Sequence, residues 1–218
     1  MPSKYSIKEY EPGAYYHIFN RGVEKRIVFQ DEADYKTFLG YLHLYLTDPH
    51  LSGDSRKTRP PSLPIKNYTG NITLLAYCLM PNHFHLFVHQ DQIDGINHFM
   101  RSLMSEYVRY FNKKYNRVGS LFQGPYKAVK ITSETQWVYL SKYIHRNPLP
   151  ISPFRESPER LCEYKYSSYQ NYLGQFKQSW VSTSDILSHF SGSSKKYQQF
   201  VETGDDITPI YKVALDYD

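Results

Sequence analysis

Short apolar runs and alternating patterns predict the strands of this chain. Residues 14–21 are rich in strand-forming aromatic side chains and follow a Pro-Gly turn signal, so they are predicted to form a first strand. Residues 72–80 are almost continuously apolar, as expected of a central strand. Pro81 and Asn82 then turn the chain into residues 83–89, where apolar side chains alternate with His83, His85 and Phe87. These two segments are predicted to form a hairpin.

Helical spacing of apolar residues predicts three helices around these strands. The first begins at Asp31, which can cap a helix, and its apolar positions are Phe38, Leu39, Leu42, Tyr45 and Leu46. The second covers about residues 96–115 and is followed by a short strand at residues 126–131. The third begins at a capping box, residues 133–136, and ends before Pro148.

The order strand, helix, strand, strand, helix, strand, helix predicts an α+β fold. It corresponds to a ferredoxin-like antiparallel sheet with helices on one face and one added helix. We assign residues 1–150 to this domain and residues 151–218 to a C-terminal extension, partly packed on the core, with a short helix at about residues 183–190. Residues 47–71 contain several prolines and four Lys or Arg residues, and they are predicted to form an exposed basic loop inserted in the domain.

Composition limits the class of protein. The chain has 218 residues, a net charge of +5 and two cysteines, Cys78 and Cys162, whose separation indicates neither a disulfide framework nor a thiolate zinc site. No apolar run approaches the ~20 residues of a membrane helix, and the first residues lack the apolar core of a signal peptide. We therefore expect no membrane partner and a cytoplasmic, nucleoid-associated location. The mild positive charge is consistent with a polyanionic partner.

Positive charge is concentrated between residues 101 and 130. In this stretch the single acidic residue Glu106 stands against seven basic ones, Arg101, Arg109, Lys113, Lys114, Arg117, Lys127 and Lys130. Aromatic residues are interleaved with these charges, a combination that could neutralise phosphates and stack unpaired bases. An amphipathic helix with a solvated basic face and aromatic core residues would give the same pattern, so the charges alone leave both interpretations open.

Two histidines suggest a metal site. His83 and His85 are two residues apart in a predicted strand, and this spacing points both imidazoles to one face of the sheet. The helices are expected to cover the opposite, apolar face and to leave the imidazoles on the open one. Two neutral imidazoles so placed can share one divalent cation. Polar residues of a half-exposed strand would show the same His-Phe-His triplet, so the triplet alone does not establish a metal site.

The last predicted helix carries a candidate nucleophile. Tyr143 and Asn147 are four residues apart and share one helix face, so Asn147 could supply an oxygen to a metal while Tyr143 meets a metal-bound phosphate. A phenol, with a reference pKa of ~10, needs a nearby cation to act as a nucleophile at neutral pH. A core tyrosine with a helix cap is the alternative. A two-tyrosine site that includes Tyr139 also stays open, although Tyr139 would lie another turn from the metal.

Five ordered blocks of the sequence carry a family resemblance. They are YHIFNRG (16–22), AYCLMPNHFHLFV (76–88), SLFQGPYK (120–127), YIHRNP (143–148) and YSSYQNYLG (166–174). Together they resemble the Y1 transposases of the IS200 and REP-associated group, within the HUH endonuclease superfamily. The resemblance implies that His83, His85 and Asn147 bind Mg²⁺ or Mn²⁺ and that Tyr143 is the catalytic nucleophile. Single-stranded DNA and DNA hairpins are the implied partners, and since related proteins include monomers and dimers, a homodimer is one expected assembly.

The reaction implied by this resemblance is cleavage of single-stranded DNA that leaves a 5′-phosphotyrosine and a free 3′-hydroxyl. A transposase-like endonuclease and strand transferase is therefore the predicted function. Nucleic-acid contacts are expected from Arg21, Arg101, Arg109, Gln123, Lys127 and Lys130. A hairpin-binding protein of the same fold that has lost transposition is the alternative. A metal hydrolase unrelated to nucleic acids is disfavoured, because no obvious acidic ligands stand near the histidine pair in the sequence.

Overall fold

A four-stranded antiparallel sheet in the order β2-β3-β1-β4 forms the centre of the protein. The computed structural model describes residues 10–48, 66–204, 208–211 and 214, so residues 49–65 of the predicted basic loop lie outside the described residues. The strands are β1 (Ala14–Arg21), β2 (Ile72–Met80), β3 (His83–Gln90) and β4 (Lys127–Ile131). Their order and the intervening helices confirm the predicted α+β, ferredoxin-like fold.

Two long helices cover one face of this sheet, as predicted. α1 (Glu32–Leu46) begins where the Asp31 side chain accepts a hydrogen bond from the Asp34 N–H at 3.1 Å. α2 (Gly95–Lys114) packs beside it, and Lys114 forms ion pairs of 2.7 Å with Asp31 and with the buried Asp34. These ion pairs tie the two helices together. No helix in the described part of the chain is both long and apolar enough to span a membrane.

The third helix, α3 (Glu134–Arg146), begins at a cap close to the predicted one. The Ser133 hydroxyl accepts a hydrogen bond from the Gln136 N–H at 3.3 Å. The Gln136 side chain accepts a hydrogen bond from the Thr132 N–H at 2.9 Å. In a capping box this side chain would accept from the N–H of the cap residue Ser133, so the observed donor is one residue earlier. The Gln136 N–H, an orphan donor of the first turn, and the Thr132 N–H, just before the helix, are thereby satisfied.

Alternate residues of the central strands fill two separate cores. Phe84 and Phe87 are both fully buried, but Phe84 packs with residues of α1 and α2, whereas Phe87 packs with residues of α3. Burying one such side chain contributes roughly 1.5–3 kcal/mol. The sheet face that was predicted to be open is therefore covered, because Leu140 and Ile144 of α3 and aromatic residues of the C-terminal segment pack on it.

The C-terminal segment adds the short helices α4 (Tyr169–Tyr172), α5 (Ser184–Ser188) and α6 (Ser194–Glu202). Its Ser168 N–H donates to the Tyr77 carbonyl at 3.0 Å, along the outer edge of β2. His145 of α3 joins this segment to the sheet, with Nδ1 2.7 Å from the Tyr197 hydroxyl and Nε2 2.8 Å from the Ser168 hydroxyl. Burial lowers the pKa of His145 to about 3, so this imidazole is neutral at pH 7. The contacts hold α3 against its own sheet.

Candidate metal and nucleophile site

Four histidines of neighbouring strands lie on the sheet face that α3 covers, and three of them, His17, His83 and His85, lie close together. His83 and His85 follow the period-two pattern of β3, and His17 does the same in β1. The strand register pairs Phe19 with His85 and Arg21 with His83, so β1 places residues 17, 19 and 21 beside the histidines of β3. No role was predicted for His17 from the sequence. Two features of the sequence could have identified His17. It lies in the first of the five blocks, and it follows the same period of two that selected His83 and His85.

His17 holds the ring of His85. The two imidazoles are fully buried and stacked with their centroids 5.1 Å apart, and His17 Nε2 lies 2.9 Å from His85 Nδ1. A neutral imidazole has one donor and one acceptor nitrogen, so this hydrogen bond couples the tautomers of the two rings: when His85 Nδ1 donates to His17 Nε2, the lone pair of His85 lies on Nε2. With Nδ1 of His85 facing His17, its Nε2 is the nitrogen suited to bind a metal. Such a partner orients a ligand and fixes its tautomer.

Two asparagine amides face the ring of His83. Asn82 donates from Nδ2 to the Lys25 carbonyl at 3.3 Å and presents Oδ1 2.6 Å from His83 Nδ1. Asn147 donates from Nδ2 to the Tyr143 carbonyl at 3.2 Å and presents Oδ1 3.2 Å from His83 Nε2. A neutral imidazole donates from only one nitrogen, so with Nδ1 donating to Asn82 the lone pair of Nε2 would face the carbonyl oxygen of Asn147. A cation bound by both His83 Nε2 and Asn147 Oδ1 would remove the repulsion between these two lone pairs.

The donor set fits a divalent metal ion. His83 Nε2, His85 Nε2 and Asn147 Oδ1 would supply two imidazole nitrogens and one amide oxygen. These donors are all neutral, so a bound ion would keep its full charge available to a phosphate. Among the described residues, no cluster of three or more His, Cys, Asp or Glu side chains offers a competing site.

Tyr143 stands against this site in the same chain. Its ring centroid lies 5.6 Å from that of His85 and 6.1 Å from that of His17, with both ring pairs nearly perpendicular. Tyr139, one turn earlier, packs instead on Phe200 of α6, with their centroids 5.3 Å apart. The structure thus brings Tyr143, and not Tyr139, to the histidines.

The chain contains 22 tyrosines, and several of those that the structure describes are buried in the cores. Burial raises the pKa of Tyr77, Tyr107 and Tyr197, which disfavours the phenolate form. Tyr107 donates to the Val28 carbonyl at 2.5 Å. Hydroxyls used in this way hold the fold together, and none of these three contacts the histidine site.

Three of the predicted nucleic-acid contacts lie on or beside the histidine face. Arg21 is the cross-strand neighbour of His83, and its Nε is buried without a hydrogen bond to any described residue. Lys127 pairs with Phe19 in the sheet and holds its Nζ 5.7 Å from that ring, which in turn stacks on His85. The exposed Gln123 donates from its N–H to the Arg21 carbonyl at 2.8 Å.

The other three predicted contacts do not join this face. Arg101 and Arg109 lie on α2, across the sheet, and Arg109 pairs with Glu106 at 3.0 Å. Lys130 pairs with Tyr16 in the sheet register and forms an ion pair with Glu11. Lys127 and Lys130 therefore do not lie on one surface, because side chains three apart in a strand point to opposite faces.

One comparison with known proteins matches the part of the chain that contains this site. Residues 65–147 match the family model described as "Transposase IS200 like". A solved structure described as "Structure of the REP associates tyrosine transposase bound to a REP hairpin" is 11% identical, with a TM-score of 0.49, and the match covers 83% of this chain and 97% of that chain. No curated protein matches the chain.

At 11% identity and this TM-score, the likeness to the solved structure supports no conclusion about function. The family match is informative because of where it lies. It spans β2, β3, α2, β4 and α3, and it includes His83, His85, Tyr143 and Asn147. The resemblance of the sequence to the IS200-like transposase family is therefore confirmed over residues 65–147.

Proposed function

We propose that this protein is a metal-dependent endonuclease and strand transferase acting on single-stranded DNA, with Tyr143 as its nucleophile. The observation that carries the proposal is the convergence of His83, His85, Asn147 and Tyr143 at one place within a single chain. A tyrosine beside two imidazoles and an amide oxygen suits phosphoryl transfer, because the phenol and a metal-bound phosphate can meet there.

The proposed reaction is one transesterification. The Tyr143 oxygen attacks the phosphorus of a phosphodiester, a new O–P bond forms to tyrosine, and the bond to the 3′ oxygen breaks. The phenol loses its proton and the 3′ oxygen gains one, so the products are a 5′-phosphotyrosine and a free 3′-hydroxyl. Because one phosphate ester replaces another, the 3′-hydroxyl of a second strand can reverse the step and join strands.

The residues around Tyr143 have distinct proposed tasks. His83, His85 and Asn147 would hold Mg²⁺ or Mn²⁺, which when bound orients the phosphate and offsets charge on its oxygens. Arg21 lies on the same face and can donate two hydrogen bonds to a phosphate from its planar guanidinium. Lys127 adds a second cation beside Phe19. DNA hairpins are the proposed substrates, in keeping with the family resemblance.

Covalent capture of DNA tests the proposal. The protein is incubated with a labelled single-stranded hairpin from the DNA that flanks its gene, with Mn²⁺ or with a chelator. We expect a covalent protein–DNA adduct and a shortened 3′-hydroxyl strand only with metal. Tight hairpin binding with no adduct in any metal would instead favour the alternative, a hairpin-binding protein without cleavage activity.

Single substitutions of the two β4 lysines should affect DNA binding unequally. For single strands, the salt dependence of log affinity has a slope of about 0.7 for each phosphate contact. Lys127→Ala should flatten the slope by about this amount, because Lys127 lies on the histidine face. Lys130→Ala should flatten it less, since Lys130 lies on the opposite face and is paired with Glu11. Hairpin titrations across a salt series measure both, and equal effects would contradict the assigned surface.

His17 is proposed to be a positioning residue, and its substitution should weaken metal binding. His17→Phe keeps a ring beside His85 but cannot hydrogen-bond to His85 Nδ1. Loss of such a second partner typically costs ~10- to 100-fold in metal affinity. Calorimetric titration with Mn²⁺ measures this without reference to activity. His17→Gln, which retains a hydrogen-bonding group, should recover part of the loss, and wild-type affinity in His17→Phe would show that His17 only fills space.

A further inference from the structure

A chain of buried hydrogen bonds runs along the side of α3 that is turned away from Tyr143. His145 follows Tyr143 by two residues and Ser141 precedes it by two, so both lie about 160° from Tyr143 around the helix. These two side chains and their partners, Ser168 and Tyr197, are fully buried. His145 and Ser168 belong to the fourth and fifth sequence blocks, and the proposed reaction assigns a task to neither of them.

The hydrogen bonds connect α3 to the edge of the sheet and to α6. The Ser168 hydroxyl accepts from the Tyr77 N–H of β2 at 2.9 Å and lies 2.8 Å from His145 Nε2. On the other side of the imidazole, Nδ1 lies 2.7 Å from the Tyr197 hydroxyl, which donates to the Ser141 hydroxyl at 3.0 Å. Because Tyr197 donates to Ser141, His145 Nδ1 donates to Tyr197 and Nε2 accepts from Ser168. Both nitrogens of His145 are thus used, one on each side.

Two cations on the flank of α3 fix the position of α6. Lys142 Nζ donates to the Thr203 carbonyl at 2.5 Å, and the Arg146 guanidinium donates to the Val201 carbonyl at 2.6 Å. These carbonyls lie at the end of α6, where positive charge is favoured. Tyr197 therefore stands on a helix that α3 itself holds in place.

Directional contacts at the back of α3 restrict its rotation more than apolar packing does. Leu140 and Ile144 attach α3 to the sheet through apolar contacts, which have no preferred direction. Hydrogen bonds weaken steeply when their angles change, so partners on both sides of His145 select one rotation of the helix. Side chains end ~5–6 Å from a helix axis, so a rotation of ~10° would shift the Tyr143 hydroxyl by ~1 Å. A misplacement of that size can cost ~100-fold in rate.

We propose that His145 is a positioning residue, which sets the rotation of α3 through its hydrogen bonds to Ser168 and Tyr197. The rotation presents Tyr143 and Asn147 together to the metal. This inference rests on the proposed function, since that function assigns Tyr143 and Asn147 their tasks. His145 would contact neither the metal nor the DNA and would act from the opposite side of the helix.

A double-mutant cycle with Mn²⁺ separates this role from a general support of the fold. Asn147 is the only proposed ligand on α3, so loss of His145 should weaken Mn²⁺ binding only through Asn147. We expect His145→Phe to lower Mn²⁺ affinity by ~10-fold and to have no further effect in an Asn147→Ala background. His145→Gln, which can keep one of the two hydrogen bonds, should recover part of the loss. Calorimetry that shows the same loss in both backgrounds, or no loss at all, would overturn the inference.

Tyr197→Phe tests the same role with a smaller change, because it removes one hydroxyl of the chain and keeps the ring. We expect the rate of adduct formation by DNA-saturated protein to fall by ~3- to 10-fold, since α3 is less firmly oriented. Hairpin affinity should stay within about 2-fold, because binding does not need the exact position of the Tyr143 hydroxyl.

Tyr164→Phe is the matched control, since its buried hydroxyl donates to the Leu79 carbonyl of β2 at 2.7 Å and not to α3. Thermal unfolding should show a loss of stability in both variants, whereas only Tyr197→Phe should slow adduct formation. Equal slowing of both variants, or a wild-type rate in Tyr197→Phe, would contradict the positioning role alone. Wild-type protein that shows the predicted coupling of Mn²⁺ affinities but forms no adduct on any DNA would instead contradict the proposed cleavage and leave the positioning of Asn147 standing.

Discussion

Replacing Tyr143 with phenylalanine is expected to abolish covalent attachment to DNA and cleavage. The substitution removes one hydroxyl from a half-buried side chain and leaves its ring against His85 and His17. The rate of adduct formation should therefore fall by at least ~1,000-fold, as expected when the only nucleophile is lost. Gel separation of protein–DNA adducts measures the rate, and hairpin affinity should stay within about 2-fold, since the change costs well under 1 kcal/mol of binding.

Tyr139→Phe provides the matched control for this experiment. It makes the same chemical change one helical turn earlier, where the ring packs on Phe200. Activity of this variant should equal that of the wild-type protein. If Tyr139→Phe formed no adduct while Tyr143→Phe remained active, the nucleophile would have been assigned to the wrong turn of α3.

The second large effect is expected from removal of the paired histidines. His83→Ala with His85→Ala deletes two of three proposed ligands, so Mn²⁺ affinity should fall by more than ~100-fold, since loss of a supporting partner alone costs ~10- to 100-fold. Excess Mn²⁺ should rescue adduct formation poorly. Because His85 is fully buried, His83→Ala is also tested alone, and thermal unfolding checks that each variant is folded.

His89→Ala serves as the control for metal binding. His89 belongs to the same strand and the same face, but it lies further along β3, where its ring packs against Tyr15 with the centroids 4.5 Å apart and the planes tilted by 43°. Calorimetry should show wild-type Mn²⁺ affinity for this variant. Unchanged affinity in the double variant would instead assign His83 and His85 a purely structural role.

The fold could be predicted from sequence because its elements have strong local signals. β1, β2 and β3 begin where the apolar patterns and the Pro81-Asn82 turn placed them, and Asp31 caps α1 as expected. Helix α6 was not predicted, since its buried residues are few and it depends on contacts with α3. The cover over the histidine face was also missed, because it is formed by segments distant in sequence.

The site was partly predictable because local spacing places several of its residues on one face. The spacing of His83 and His85, and that of Tyr143 and Asn147, follow from strand and helix periodicity. The bond between His17 and His85 depends on strand register over 68 residues of separation, which local patterns do not encode. The opposite directions of Lys127 and Lys130 were available from their spacing in the predicted strand. Because both residues are basic, they were grouped together despite this difference in direction.

The position at which DNA becomes attached tests the central claim most directly. A protein–DNA adduct formed with Mn²⁺ is digested with protease and nuclease, and the modified peptide is identified by mass spectrometry. We predict a nucleotide phosphate on the hydroxyl of Tyr143, joined through the 5′ end of the downstream strand, and a free 3′-hydroxyl on the other fragment. Attachment at another residue, attachment through a 3′-phosphate, or cleavage without any covalent intermediate would contradict the proposed function.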